Sequence, residues 1–446
     1  MRSALQSARL RRILLAYTVN RLGTWFGYVA LSVTVFAHTH SALWVAALLV
    51  AGQALPAFLV PSLVARVEGS AWRAPLSALY AFEGVATVAL AILLWNFWLP
   101  AILLLVAADG TAALAASALL RAEAARVARV EAEQATASAV ASSRRQDDAQ
   151  TAERKANAAL NVAFSLTFVM GPALAGLVVS SAGGPVALLI DAGSFFVGGA
   201  MLADLRPQID DAERSGVRAR VQAAWTHIRE VAVLRMLLIA EAVALVFFAA
   251  DASIEVPYAK ATLHVGDRGY GLLLTVWGLG AGAGSLVFAR AVRRPVGMML
   301  SLGTLAVGLA YVGFAAAPSL AFACIAGFVG GTGNGVQWAS LLSAVQQLTP
   351  PALHGRMMGA VEAINALFPG LGLALGGLLV ALSSTRTAFL VVGLGAIAMT
   401  IAFLRLAAGS SFQGARAAAN AAPSDQDGDE VRAATLARPV GVERSE

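Results

Sequence analysis

The 446-residue sequence predicts an all-α membrane protein of twelve transmembrane helices, arranged as two six-helix pseudo-repeats. Three observations carry this. The chain divides into apolar stretches of about 20 residues, the length a helix needs to cross a hydrocarbon core about 30 Å thick. The polar links between them alternate between arginine-rich and arginine-poor. The two halves also repeat features at matching places. With 58% hydrophobic and 13% charged residues, the chain is too apolar for a soluble domain, whose charged share is about 25%.

Spans one to six are expected over 13–37, 42–64, 74–95, 98–120, 156–180 and 184–205, and spans seven to twelve over 235–259, 269–290, 297–316, 319–347, 357–382 and 387–406. The first stretch is too long for a signal peptide and lacks a small-residue cleavage site, so it stays as helix one.

Charge fixes the expected topology, because short loops rich in Lys and Arg stay in the cytoplasm. Arg2, Arg9, Arg11 and Arg12 precede span one, and Arg66 and Arg73 follow span two. Arg121, Arg126, Arg129, Arg144, Arg145, Arg154 and Lys155 follow span four, and six more arginines lie between spans six and seven. Arg290, Arg293 and Arg294 follow span eight, Arg356 follows span ten, and Arg405 ends span twelve. Of the 32 basic residues, Lys260, Arg268 and Arg386 fall on the opposite side, and Arg21 lies inside a span. Both termini are therefore expected in the cytoplasm, and the +6 net charge is absorbed by topology rather than by nucleic acid.

Residues 1–12 read as a cytoplasmic N-terminus, 13–205 as the first bundle, 206–234 as a central cytoplasmic loop, 235–406 as the second bundle, and 407–446 as a disordered cytoplasmic tail too polar to bury a core. Span five carries Pro172 and span eleven Pro369, while Arg66 and Arg290 follow spans two and eight. These pairs are offset differently, so the first half carries extra residues. They lie in a cytoplasmic insertion over 121–155, read as an extension of helix four followed by a flexible piece. The single cysteine, Cys324, excludes an internal disulfide and a cysteine metal cluster.

Four stretches resemble the major facilitator superfamily, and within it the bacterial branch of the enterobactin exporter and macrolide efflux proteins. They are NRLGTWFGYVALSVTVF in span one, KANAALNVAFSLTFVMGPALAGLVVSSAGG across span five, YGLLLTVWGLGAGAGSLVFARAVRR across span eight, and GFVGGTGNGVQWASLLSAVQQLTPPALHGRMMGA from span ten into eleven. Gly171, Pro172 and Gly176 are similar to the glycine-proline motif of antiporter fifth helices. In the loop after span two only Arg66 matches the family pattern; its glycine and acid are absent, and the loop after span eight keeps Arg290 and Arg294 without the acid. The resemblance implies that Arg66, Arg290, Arg294, Arg356 and the Gly171-Pro172-Gly176 segment take part in gating. It also implies that helices one, four, seven and ten line a central cavity.

Ionisable groups inside a span cost roughly 2.5–3.5 kcal/mol at the bilayer centre, so each needs a partner, a wet cavity or a role. Arg21, Asp109, Asp251 and Glu255 lie on the cavity-lining helices. Asp251 and Glu255 are four residues apart and share one helix face, the arrangement of a proton-coupling pair; the alternative is a hydrated or Lys260-paired position at the outer mouth. Asp109 is expected to be the main coupling or substrate-binding acid, with Arg21 as its partner. Asn334 and Gln337, three apart, are candidates for hydrogen bonds to substrate or for polar contacts between helices. Glu83 and Asp191 are assigned to helix packing, and Glu241 and Glu362 to helix ends.

The glycine runs 278–284 and 331–335 lie inside apolar spans, where they serve close helix approach. No phosphate-loop lysine, HExxH, zinc cysteine pair or GxSxG occurs, so neither a cofactor, a metal site nor an enzyme is expected. The sequence reads as a secondary transporter of the bacterial inner membrane, a monomer whose partners are a small-molecule substrate, protons and the bilayer. Its expected action is proton-coupled export of a hydrophobic or amphipathic compound such as a drug, siderophore or secondary metabolite. A non-transporting receptor or scaffold, or an importer, is the alternative.

Overall fold

The computed structural model describes residues 7–59, 75–135, 142–204, 225–291, 294–350 and 353–408. Among these there is no strand. A chain crossing hydrocarbon must satisfy its backbone polar groups internally, and the helix does this within one segment.

The helices are α1 (Ala8–Thr39), α2 (Ala42–Leu49, continued by a π turn at Val50–Ala54), α3 (Pro75–Trp95), α4 (Leu99–Ala135), α5 (Ser142–Ala182) and α6 (Gly184–Met201). The second set is α7 (Ala232–Pro257, continued by a π turn at Tyr258–Thr262), α8 (Gly266–Arg290), α9 (Val296–Ala316), α10 (Leu320–Gln347), α11a (His354–Leu367), α11b (Pro369–Leu382) and α12 (Thr385–Ala408). Serines define two starts: Ser7 Oγ accepts from the Leu10 N–H, and Ser319 Oγ from the Phe322 N–H. Span eleven is not one helix. It breaks at Phe368, because Pro369 has no N–H to continue the ladder.

Among the described residues, ten stretches are long and apolar enough to cross a membrane. The rods not among them are α1 and α10, which carry Arg21 and the Asn334/Gln337 pair. The insertion is more helical than expected. α4 runs on to Ala135 and α5 starts at Ser142, so residues 142–155 are helix. Arg129 pairs with Glu153 across this hairpin, and Ser7 Oγ donates to Glu131 at 2.6 Å, tying the start of α1 to it. The 205–224 part of the central loop and the tail from 409 lie outside the described residues.

Small residues let backbones touch. A Cβ on Gly331 would stand 2.1 Å from the Trp277 carbonyl oxygen, and one on Gly335 would stand 2.2 Å from that of Ala281, so α8 and α10 meet without side chains between them. In lipid, where apolar burial between helices gains little, such contact is a main source of association.

The apolar core shows how the halves meet. At the arginine-rich end, the N-terminal half has its own core, built from Leu10, Ile13, Tyr17, Leu76, Leu120 and Leu160 among others. Toward the opposite end, one core spans both halves, uniting Val29, Val33 and Leu94 with Ile254, Tyr258 and Tyr311. The bundles are thus joined at the arginine-poor end and packed separately at the other.

Candidate functional site

The acids of α7 sit near the junction of the halves. Asp251 and Glu255 are one turn apart, and Glu255 is only 5% exposed. Tyr311 of α9 lies with its hydroxyl 2.9 Å from Asp251 Oδ2 and 3.1 Å from the Phe248 carbonyl oxygen, so its one proton serves either acceptor. Between them, Ser253 lies 2.9 Å from the Leu373 carbonyl and anchors this turn to α11b. Lys260, which sequence reasoning offered as a partner, is engaged by Asp267 at 2.7 Å. Tyr28 of α1 and Tyr270 of α8 border the same acids, and their two hydroxyls lie against each other across the junction.

Aromatic rings flank the junction in both halves. Trp277 stacks on Tyr311 at 5.7 Å and 10°, and across the junction Trp25 meets Phe168 edge-on at 5.1 Å. The combination of flat apolar surface with buried carboxylates suits an amphipathic ligand.

Arg21 and Asp109 do not meet. The Arg21 guanidinium lies over the Phe164 ring, 5.0 Å from its centroid, and its electrostatic neighbours are Tyr17, Arg121 and Tyr80. Asp109 is half-buried, with Oδ1 shielded and unpartnered. Gln337 is 1% exposed, and its Nε2 donates to Glu241 Oε2 at 2.8 Å. Glu241 is therefore a buried partner of α10 rather than a helix-end acid; Arg235 instead donates to the Arg229 carbonyl. Asn334 lies half-buried on α10, nearly two turns from Ser340, whose hydroxyl is taken by the Val336 carbonyl.

A surface cleft bounded by Arg9, Arg126, Val130 and Glu131 lies between the start of α1 and the extension of α4. Arg126 there is held by Glu123 at 2.6 Å, a bond that raises the guanidinium pKa further. Seventeen helical residues separate Arg126 from Asp109, about 25 Å, so this cleft is not the acid site.

Residues 243–437 match a family model described as Major Facilitator Superfamily. The chain is 26% identical over 253 residues to the multidrug efflux pump Tap of Mycolicibacterium fortuitum, a match covering 54% of this chain and 60% of the pump. Among solved structures, the nucleoside transporter NupG is similar with a TM-score of 0.66 at 12% identity, over 91% of this chain and all of that one. Over residues 243–437 the chain is similar to the major facilitator superfamily. A bacterial homologue of the iron transporter ferroportin, in an inward-facing state, is equally similar: its TM-score is 0.66 at 15% identity, over 90% of this chain and 99% of that one.

The segments joining the halves include the glycine-proline motif of α5. A Cβ on Gly171 would fall 2.2 Å from Trp25 Cδ1, and Gly176 faces Gly271 of α8 so closely that a Cβ there would stand 3.1 Å from its Cα. Arg268 of α8 donates from Nε to Ser180 Oγ of α5 at 2.9 Å, just beyond this contact. On the other side, Gly377 of α11b packs on Ala42, Leu43 and Ala46 of α2. Of the arginines expected to gate the arginine-rich end, Arg290 ends α8 and Arg294 follows it, both exposed. Arg66 lies outside the described residues. Arg356 is in the first turn of α11a, with its side chain also outside them.

Sequence reasoning missed Tyr28, Tyr270 and Tyr311, and assigned Glu241 to a helix end rather than to its buried partner Gln337. A tyrosine in an apolar span looks like any core aromatic, and only tertiary placement sets its hydroxyl beside an acid.

Proposed function

We propose that this chain is a proton-coupled exporter of hydrophobic or amphipathic small molecules, working by alternating access as a monomer in the bacterial inner membrane. Its arginine-rich end faces the cytoplasm. The observation that carries the reading is the Asp251–Glu255 pair: two carboxylates on one turn at the junction of the bundles, Glu255 buried and Asp251 half-buried, bordered by tyrosines from both halves and, among the described residues, by no cation. Two like charges this close, away from water, cannot both stay bare, and a proton is the smallest group that relieves them.

Because the pair borders Tyr28 of α1 and Tyr270 of α8, its charge state bears on whether the halves stay joined. With the arginine-rich end cytoplasmic, the separate cores there and the common core opposite correspond to a cytoplasm-open state. Export then begins with substrate entering from the cytoplasmic leaflet onto the Trp25, Phe168 and Trp277 surfaces. Proton entry from outside resets the pair. The relative Tap, a multidrug efflux pump, supports the export direction. Asp109, on the cavity-facing helix of the N-terminal half, contributes a further acid.

The experiment is retention of a fluorescent amphipathic dye by cells expressing the protein, with and without a protonophore. Faster dye loss that collapses with protonophore and in Asp251→Asn supports the reading. Dye retention identical to empty-vector cells across a broad dye panel favours a receptor or scaffold instead.

A further inference from the structure

A second group of acids lies in the N-terminal half, and the α7 pair leaves it unexplained. Glu83 of α3 is 2% exposed and Asp191 of α6 is 4% exposed, and both are close enough to Asp109 of α4 to feel its charge. Glu83 Oε1 and Asp109 Oδ1 are shielded from solvent and unpartnered. Asp191 is met by the Ser194 hydroxyl of its own helix, a neighbour within the cluster. Asn20, 9% exposed, lies on the same stripe of α1 as Gly23 and Gly27, and its Nδ2 is buried without a partner. Buried polar atoms are nearly always hydrogen-bonded, so these orphans from α1, α3 and α4 form a concentration that packing does not account for.

The space around Asp191 is built rather than incidental. It occupies the groove that Gly23 and Gly27 leave on α1. A Cβ on Gly27 would stand 2.4 Å from Asp191 Oδ2, and one on Gly23 would stand 2.1 Å from Ser194 Oγ and 2.7 Å from Asp191 Oδ1. The titratable group facing the cluster from outside is Tyr80 of α3, which borders Glu83 on one side and Tyr17 and Arg21 of α1 on the other. The Arg21 guanidinium, with Arg121 as a neighbour, is turned to the Phe164 ring rather than to the acids. Three bare carboxylates in one bundle would each carry a desolvation cost that no paired cation offsets. Among the described residues, no three acid, His or Cys side chains converge tightly enough to hold a metal ion. The occupant that remains is the proton.

We propose that Glu83, Asp109 and Asp191 form a second proton-loading site, with half-exposed Asp109 as its port and Asp191 as the member that reports its charge to α1. The inference rests on the transporter reading above but reaches a different half of the molecule. α1 also carries Tyr28, so a change at Asp191 can be passed to the junction by the helix itself.

The test is pH-difference infrared spectroscopy of the full chain in lipid nanodiscs, which reads carboxylic-acid stretches without any substrate. Asp191→Asn and Glu83→Gln are each expected to remove one titrating acid band that the Asp251→Asn/Glu255→Gln double variant retains. Both single variants keeping every wild-type band overturns the proposal. If a variant fails to fold, wild-type protein treated with a hydrophobic carbodiimide, which attacks protonated acids, gives an independent reading. Mass-spectrometric adducts on Glu83 or Asp191 support the site, and their absence at every pH overturns it. A thermal shift produced by sodium but not choline, and lost in Asp191→Asn, assigns an alkali-cation site and also overturns it. If dye flux proves indifferent to a pH gradient while these bands titrate, the export reading falls and the proton site stands.

Discussion

Gly271→Ala should weaken the junction of the two bundles without touching either acid cluster. A Cβ at Gly271 would lie 2.5 Å from the Pro172 carbonyl oxygen and 3.3 Å from its carbon, with Gly176 Cα at 3.1 Å. All three are backbone atoms, so no rotamer change relieves the contact and α5 and α8 must part. Overpacking of this kind costs about 1–3 kcal/mol. Alanine also favours helix over glycine by roughly 0.5–1 kcal/mol, but α8 is helical whichever end is open, so that gain cancels in the comparison. The cost falls on the state joined at the arginine-poor end, shifting its population roughly five-fold to a hundred-fold. Spin labels at Ser181 of α5 and Ser383 beyond α11b, in a Cys324→Ser background, report the separation at that end by pulsed electron resonance. Gly271→Ala should broaden the distribution toward longer distances, whereas Gly282→Ala, whose Cβ meets nothing within 4 Å, should not. Overlaying distributions for Gly271→Ala and wild type would refute the assignment of this contact as the closed seam.

Tyr311→Phe removes a hydrogen bond to Asp251; a bond to a charged acceptor is worth about 1.5–3 kcal/mol, so the variant should melt at lower temperature and shift the pH dependence of flux. Gly331→Ala, which would drive a Cβ to 2.1 Å from the Trp277 carbonyl oxygen, should lower the melting temperature clearly, while Gly193→Ala, with nothing within 4 Å, should leave it unchanged or slightly higher. Gln337→Leu strips the amide from Glu241 and leaves its carboxyl buried without a donor, at a cost of about 1–3 kcal/mol; adding Glu241→Leu should restore much of the lost melting temperature. Arg12 holds the Asp204 carboxyl below the usual aspartate range through their hydrogen bond. A depressed acid stabilises the fold above its unfolded pKa of about 3.9 and ceases to as pH falls through the folded value. The melting difference between wild type and Asp204→Asn should therefore be present at neutral pH, vanish in acid, and shrink with added salt.

What the sequence disclosed follows from what each property depends on. Span positions depend on local apolarity, so α3, α6 and α9 begin and end within a few residues of expectation. The break at Pro369 and the helical start at Ser142 were harder to read. Hydropathy passes smoothly over the first, and the polar Ala, Arg, Gln and Glu composition of the second serves an exposed helix as well as a loose segment. Asp251 and Glu255 were legible as a pair because i,i+4 spacing fixes a shared face in any helix. The pairing of Arg21 with Asp109 was not, since partners on different helices are set by helix rotation, and rotation turned Arg21 to Phe164. For the same reason Glu83, Asp191 and Ser194 looked like unrelated polar residues on helices away from the cavity, although three-dimensional packing gathers them around α1.

The most direct test of proton-coupled export is flux in proteoliposomes of fixed orientation, loaded with an amphipathic fluorescent dye and subjected to an imposed pH gradient. The account predicts that dye moves against its own gradient when protons flow the other way, that the movement is accompanied by measurable proton uptake, and that Asp251→Asn abolishes both while leaving the protein folded. Dye movement of equal rate with and without the gradient, or unchanged in Asp251→Asn, would contradict it.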